Sequence, residues 1–311
     1  MSRLFDALQR SGTERSGVEY SDMVSMATEV FEAAQNHFAQ EPAIALADTP
    51  LVEPASDAHV DEGFGLDFAE FAGPSNLVPT FASVSPRIPP KSRLVCFTEP
   101  DNLAGEKFRF LCVRLRQIQQ SRPLKKLLIT GTIPQEGKSM VAANLACALA
   151  RRRKHTAILI DGDLRRPTVA TLFGLGNLPG ISDWLQGKNG LTTSIHQVEG
   201  TRLHIMPAGT PLKNPLELMQ SGKLSNLMQQ LDNWFDWIVI DSPPILPLAD
   251  TSIWMRLADG ILLVSRQGVT ERDLLKRGLE ALDPSKLLGT VLNGSTKTHR
   301  SDYYYQAKLE S

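Results

Sequence analysis

From Lys125 onward, six short runs are apolar at successive positions: Leu127–Thr130, Ala157–Asp161, Leu203–Pro207, Trp237–Asp241, Gly260–Ser265 and Leu288–Leu292. A strand with one wet face alternates apolar and polar residues. A run such as Ile238-Val239-Ile240 must instead be covered on both faces. Helical patterns lie between the runs, including Ser139–Arg152, Pro215–Leu231 and Arg272–Leu282. Strands alternating with helices predict an α/β fold with a doubly wound, mostly parallel sheet. No internal repeat is visible.

The first 90 residues read differently. They hold no lysine, four arginines and fourteen Asp or Glu, a balance of −10. The whole chain is −1, so the remainder carries +9. Eight of the twenty prolines also fall here, between Pro42 and Pro90. Such a segment buries too little apolar surface to offset its ordering entropy. Residues 1–90 are therefore predicted to be a largely irregular acidic extension with one or two short helices. The candidates are Ser2–Arg10 and Ser21–Ala39, the second with Met23, Ala27, Val30, Phe31, Ala34 and Phe38 at helical spacing. Its acidic polar face favours docking on protein over an anionic membrane.

Several classes are disfavoured. No apolar run approaches the roughly 20 residues that span a bilayer, and the N-terminus lacks a signal peptide's apolar stretch. Cys96, Cys112 and Cys147 show no paired spacing and fit a reducing cytosol as buried small side chains. The expected location is cytoplasmic. The six histidines form no metal spacing. With a pI of 6.6 and no interleaving of basic with aromatic residues, a nucleic-acid partner is not expected. The Arg151–Lys154 cluster closes a predicted helix, where cations complement the dipole.

Gly131-Thr-Ile-Pro-Gln-Glu-Gly137-Lys138-Ser139 follows a strand and opens a helix, the context of a phosphate-binding loop. Backbone N–H groups and the positive helix end cradle phosphate oxygens there. Pro134, Gln135, Glu136, Gly137, Lys138, Ser139 and Met140 are the predicted nucleotide contacts. Lys138 reaches toward the β- and γ-phosphates, and Ser139 toward Mg²⁺. The general pattern has glycine where Thr132 stands.

Two further strands end in carboxylates. Ile158-Leu-Ile-Asp161-Gly-Asp163 supplies two, and Trp237-Ile-Val-Ile-Asp241-Ser-Pro-Pro244 a third. Ligands of open α/β sheets bind beyond the carboxyl ends of the strands, so Asp161, Asp163 and Asp241 can converge on the metal of the phosphate loop. ATP and Mg²⁺ are the predicted ligands. Arg165 and Arg166 are candidates for a phosphate contact, a neighbouring subunit or an ion pair.

A phosphate loop, an aspartate pair on the next strand and a later Ile-Asp-Ser-Pro-Pro resemble the bacterial tyrosine kinases, a group within the MinD/ParA-like P-loop superfamily. The resemblance covers about residues 93–306. It includes Asn214–Leu218, Ala249-Asp250-Thr251, Leu263–Arg266 and Gly289–Gly294. It implies a P-loop NTPase-type kinase domain over 91–295 and a flexible tyrosine tail over 296–311. Asp161 is then the base toward a tyrosine hydroxyl, Asp163 and Asp241 surround the metal, and Lys138 and Ser139 lie at ATP/Mg²⁺. Tyr303-Tyr304-Tyr305, three of only four tyrosines, become the autophosphorylation sites.

Two departures concern the loop and the assembly. Gln135 replaces a glycine that family members commonly have. Of the Glu-x-x-Arg-x-x-Arg segment that mediates ring assembly, Glu106 and Arg109 match, but Cys112 stands at the second arginine. Arg114 or Arg116 is a candidate substitute. The resemblance implies self-association as a ring homo-oligomer and a separate membrane adaptor of the polysaccharide chain-length-determinant type. That adaptor would recruit the chain to the inner face of the membrane. The implied role is regulation of capsule or exopolysaccharide synthesis and export. Two rivals stay open: a MinD/ParA-type positioning ATPase, whose signature lysine is replaced here by Ile133, and a catalytically silent ATP-binding assembly scaffold.

Overall fold

Eight strands form one sheet in a computed structural model that describes residues 79–151, 155–247 and 249–295. The helices expected at Ser2–Arg10 and Ser21–Ala39, residues 152–154 of the basic cluster and Tyr303–Tyr305 lie outside the described residues. The strands are β1 (Ala82–Val84), β2 (Lys126–Gly131), β3 (Ala157–Asp161), β4 (His196–Val198), β5 (Leu203–Met206), β6 (Trp237–Asp241), β7 (Gly260–Arg266) and β8 (Leu287–Asn293). Their order is β1-β4-β5-β3-β6-β2-β7-β8, and every adjacent pair is parallel except β4 with β5. The chain thus starts its P-loop from a central strand and winds outward in both directions. That is the doubly wound, mostly parallel architecture expected.

The apolar runs are buried on both faces because alternate residues enter different cores. Leu127, Ile129, Leu159 and Val239 pack on one side of the sheet, with helix α3 (Lys138–Ala150). Leu128, Ile158, Ile160 and Ile240 pack on the other, with α7 (Lys223–Trp234) and α8 (Asp250–Leu257). Helix α3 is covered nearly all round, by the sheet and by α1 (Val95–Thr98) and α2 (Leu103–Ser121). Its alanines let those neighbours approach. Asn144 ties α3 to α1 and to the segment before it: its Oδ1 accepts the Cys96 N–H at 2.9 Å, and its Nδ2 donates to Arg93 O at 3.0 Å. The remaining helices are α4 (Val169–Leu172), α5 (Ile181–Leu185), α6 (Pro215–Met219) and α9 (Arg272–Glu280).

Two expectations need correction, and one strand was not anticipated. The helix expected over Pro215–Leu231 is two helices, α6 and α7, because Gly222 between them takes φ 77°, a left-handed conformation that breaks the helical path. The short antiparallel strand β4 gave no periodic signal. The boundary at residue 90 is also too late. Strand β1 pairs with β4, and Phe81 is buried against His204, Trp234 and Phe235, so the fold begins before residue 82. Phe81→Ala should therefore destabilise the protein by about 3 kcal/mol, read as a lower urea midpoint. An unchanged midpoint would make β1 an ornament.

All three cysteines are buried within one core cluster, as expected. Burial, with Cys112 nearby, pushes the Cys96 thiol up to about 12, which keeps it protonated and unreactive. Cys112 lies on the inward stripe of α2 with Gly105 and Leu115 and packs in the core. Glu106 and Arg109 are half-exposed and pair with each other at 2.6 Å, while Arg109 also donates to Pro100 O at 2.9 Å. Arg114 stacks over the exposed Phe110 ring. Among the described residues, no helix is long and apolar enough to cross a membrane.

Candidate active site

The parallel register brings the sequence-predicted residues together. Asp161 and Asp241 are direct register partners at the carboxyl ends of β3 and β6, and Asp241 is also level with Ile129 of β2. The loop after β2 then passes over these ends and returns into α3. Gly137 takes φ 89° at the turn into α3, and an added Cβ there would meet Asn293 Nδ2 at 2.2 Å, so only glycine fits. The same holds at Gly131, where a Cβ would meet Glu136 Oε2 at 2.2 Å.

Thr132 stands where the general pattern has glycine, and the structure accommodates it. Thr132 is buried, and Gly278 of α9 faces it, so the Thr132 side chain occupies the space a side chain at 278 would need. Gln135 sits at φ 67°, a conformation costly for a side chain bearing a Cβ. The family's customary glycine at that position now has its physical reason.

Lys138 is buried, only 7% exposed, and its Nζ donates to Ile133 O at 3.2 Å. Burial lowers its pKa, opposed by Asp241, Glu136 and Asp163. Asp161 is fully buried. Its Oδ2 accepts the N–H groups of Thr168 and Val169 at 3.0 and 2.9 Å, capping α4, while Oδ1 has no partner. Burial pushes this carboxyl up to about 7 despite the two amide bonds. Asp241 is fully buried too. Burial and the neighbouring Asp161 raise it well above the carboxylate range, with Ser139 and Lys138 opposing. The Ser139 hydroxyl is near enough to offset part of that cost, yet neither Asp241 oxygen has a partner at hydrogen-bond geometry. Asp163 is less buried and accepts the Arg166 N–H at 3.0 Å.

Three orphaned carboxylate oxygens in a buried pocket are costly unless a cation meets them. Among the described residues, no three His, Cys, Asp or Glu side chains form a metal cage on their own. That combination fits Mg²⁺, which takes one or two carboxylates and fills its shell with phosphate oxygens and water. Arg165 is committed elsewhere: its Nε and Nη2 hold the buried Asp250 at 2.7 and 3.1 Å. Of its three sequence readings, the ion pair is the one seen.

Sequence reasoning missed what lies beneath the loop. The Glu136 side chain is fully buried and accepts from the Ile133 N–H and the Thr270 hydroxyl. Thr270 had no signal, since its role depends on β7 lying beside β2.

A phosphate loop between a central strand and a buried helix, flanked by two acidic strand ends, defines a P-loop NTPase fold. No protein-family model matches the chain. Individual relatives do. It is 36% identical over 218 residues to the tyrosine-protein kinase YwqD of Bacillus subtilis, which covers 69% of this chain and 92% of that protein. It is 33% identical over 211 residues to the succinoglycan biosynthesis transport protein ExoP of Rhizobium meliloti, 66% of this chain but 26% of ExoP. Among solved structures, the chimerical protein CapA2B2 superposes with a TM-score of 0.63 at 29% identity, covering 71% of this chain and 96% of the other. The chain belongs to the bacterial tyrosine-protein kinases and is a protein-tyrosine kinase.

Proposed function

We propose that the chain is an ATP-dependent, Mg²⁺-requiring autokinase that phosphorylates Tyr303, Tyr304 and Tyr305 and thereby regulates exopolysaccharide or capsule synthesis and export. One observation carries the autokinase reading. The last strand delivers the chain to the phosphate loop, since Asn293 Nδ2 at the end of β8 lies 2.8 Å from Glu136 O. Tyr303 follows ten residues later. A tether of that length reaches at most ~35 Å, enough for its own site or a neighbour's.

The site residues divide the work. Lys138 and the amides from Pro134 to Met140 bind the phosphates of ATP and stabilise charge developing during transfer. Mg²⁺, held by Ser139 and Asp241 with Asp161 and Asp163 around it, would neutralise the phosphate oxygens. Asp161 keeps Oδ1 uncommitted, and a carboxyl poised near 7 is suited to accept the tyrosine proton. Each phosphate adds about −1.5 to −2 charge, so a modified cluster repels the acidic pocket and its neighbours. Transfer between subunits, followed by loosening of the assembly, is the expected cycle. The ExoP name supports the polysaccharide role, and the family resemblance implies a partner. Here the partner is a separate membrane adaptor, whose cytoplasmic segment should stimulate a weak isolated kinase and hold it at the inner face of the membrane.

The test uses purified full-length chain with Mg-ATP and anti-phosphotyrosine detection. Replacing all three tyrosines by Phe should remove most label. Mixed with that triple variant, a size-tagged Lys138→Ala chain should become labelled in trans. If the tagged chain stays blank, transfer between subunits is wrong. Full labelling of the triple-Phe protein alone would remove the tail assignment, and phosphate release without phosphotyrosine would favour a positioning ATPase.

A further inference from the structure

A buried carboxylate is an odd component for a loop that must hold a polyanion. Glu136 is fully buried, and each of its two side-chain oxygens has one partner. Oε2 accepts the Ile133 N–H at 3.0 Å, inside the loop, and Oε1 accepts the Thr270 hydroxyl at 2.7 Å, outside it. Thr270 follows β7, and its hydroxyl in turn accepts the Arg266 N–H at 2.9 Å. Two more contacts run the same way. Arg266 Nη1 donates to Gln135 O at 3.1 Å, and Asn293 Nδ2 donates to Glu136 O at 2.8 Å. All of them join the loop to the carboxyl ends of β7 and β8.

The loop has reason to need such support. Gln135 occupies a left-handed conformation, and backbone strain of that kind persists only where the surroundings over-determine it. Both neighbouring carbonyls, of Gln135 and Glu136, are pinned from the β7–β8 side. A cradle already shaped before ligand arrives loses less ordering entropy on binding.

We infer that Glu136 and Thr270, with Arg266 and Asn293, form a clamp that holds the phosphate loop in its binding conformation, and that Thr270 is a positioning residue for nucleotide. The inference rests on the ATP-binding reading above. The Glu136 carboxylate acts through the Ile133 amide and not on phosphate. The Thr270 hydroxyl joins that carboxylate to the sheet.

Mg-ATP binding to the full-length chain, by calorimetry, tests the clamp. Thr270→Val keeps the shape but removes the hydroxyl, leaving a buried carboxylate oxygen unpaired. Its dissociation constant should rise about tenfold, as loss of a hydrogen bond to a charged group implies. Thr270→Ser should return it to within about twofold, which a packing role for the lost methyl would not allow. Combined with Glu136→Ala, Thr270→Val should add almost nothing, because both break one link. If Thr270→Val does not fold, Glu136→Gln replaces it. One amide oxygen can still serve Ile133 while the amide N–H donates to Thr270, so its expected loss is smaller, about threefold. Wild-type affinity in a folded Thr270→Val protein, or in Glu136→Ala, overturns the clamp, as do fully additive losses in the double variant. Absence of Mg-ATP binding by the wild type is a separate result, which removes the ATP reading itself.

Discussion

Lys138→Ala is expected to reduce tyrosine phosphorylation about a thousandfold while leaving the chain folded. The lysine feels Asp241, Glu136 and Asp163, and its Nζ donates to Ile133 O. It is buried, which sharpens its effect. A desolvated cation interacts more strongly with phosphate than an exposed one. The fold should tolerate its loss because the side chain is kept in the site at a burial cost and its hydrogen bond is to a loop carbonyl. Timed phosphotyrosine formation beside a circular dichroism spectrum checks both halves. Retained phosphorylation in the alanine variant would sink the phosphate-loop assignment.

Asp241→Asn should abolish transfer and yet stabilise the protein without ligand. Asp161, at about 7, and Asp241 both titrate above the ordinary carboxylate range in the folded chain. The folded state therefore holds protons that the unfolded chain, with a carboxylate pKa near 3.9, has released. The stability these groups contribute is fully present below that unfolded value. It is lost as pH rises through about 7. The thermal midpoint of the unliganded wild type should accordingly fall between about pH 5 and pH 8. Asp241→Asn removes one of two adjacent buried carboxyls and should raise the midpoint at pH 8, flattening that fall. Mg-ATP should raise the wild-type midpoint at pH 8 and leave the variant nearly unmoved. A variant less stable than wild type at that pH would show that Asp241 is structural.

How much of this was legible beforehand follows from the range of each interaction. Ile158–Asp161 and Trp237–Asp241 declared themselves, because strands buried on both faces need unbroken apolar runs and the carboxylates after them interrupt the run. Gly137-Lys138-Ser139 declared itself because a turn requiring positive φ must precede a helix whose amides stay free. Residues adjacent in sequence carry those constraints. The split at Gly222 was harder, since one glycine within an apolar period breaks a helix only where the neighbouring packing asks for a turn. Strand β1 was hidden inside an acidic, proline-rich stretch, with only three residues and an edge position that needs little apolar content.

By itself the sequence determined the alternation of strands and helices, the phosphate loop and the two acidic strand ends, all written in local periodicity and spacing. The tertiary structure decided what those residues experience. It set Asp161 against Asp241 through the β3–β6 register and Gly278 against the Thr132 side chain. It also bound Glu136 to Thr270 across 134 positions of chain. Burial, like-charge proximity and hydrogen bonds between distant segments depend on which strands become neighbours, and a parallel sheet makes neighbours of strands far apart in sequence.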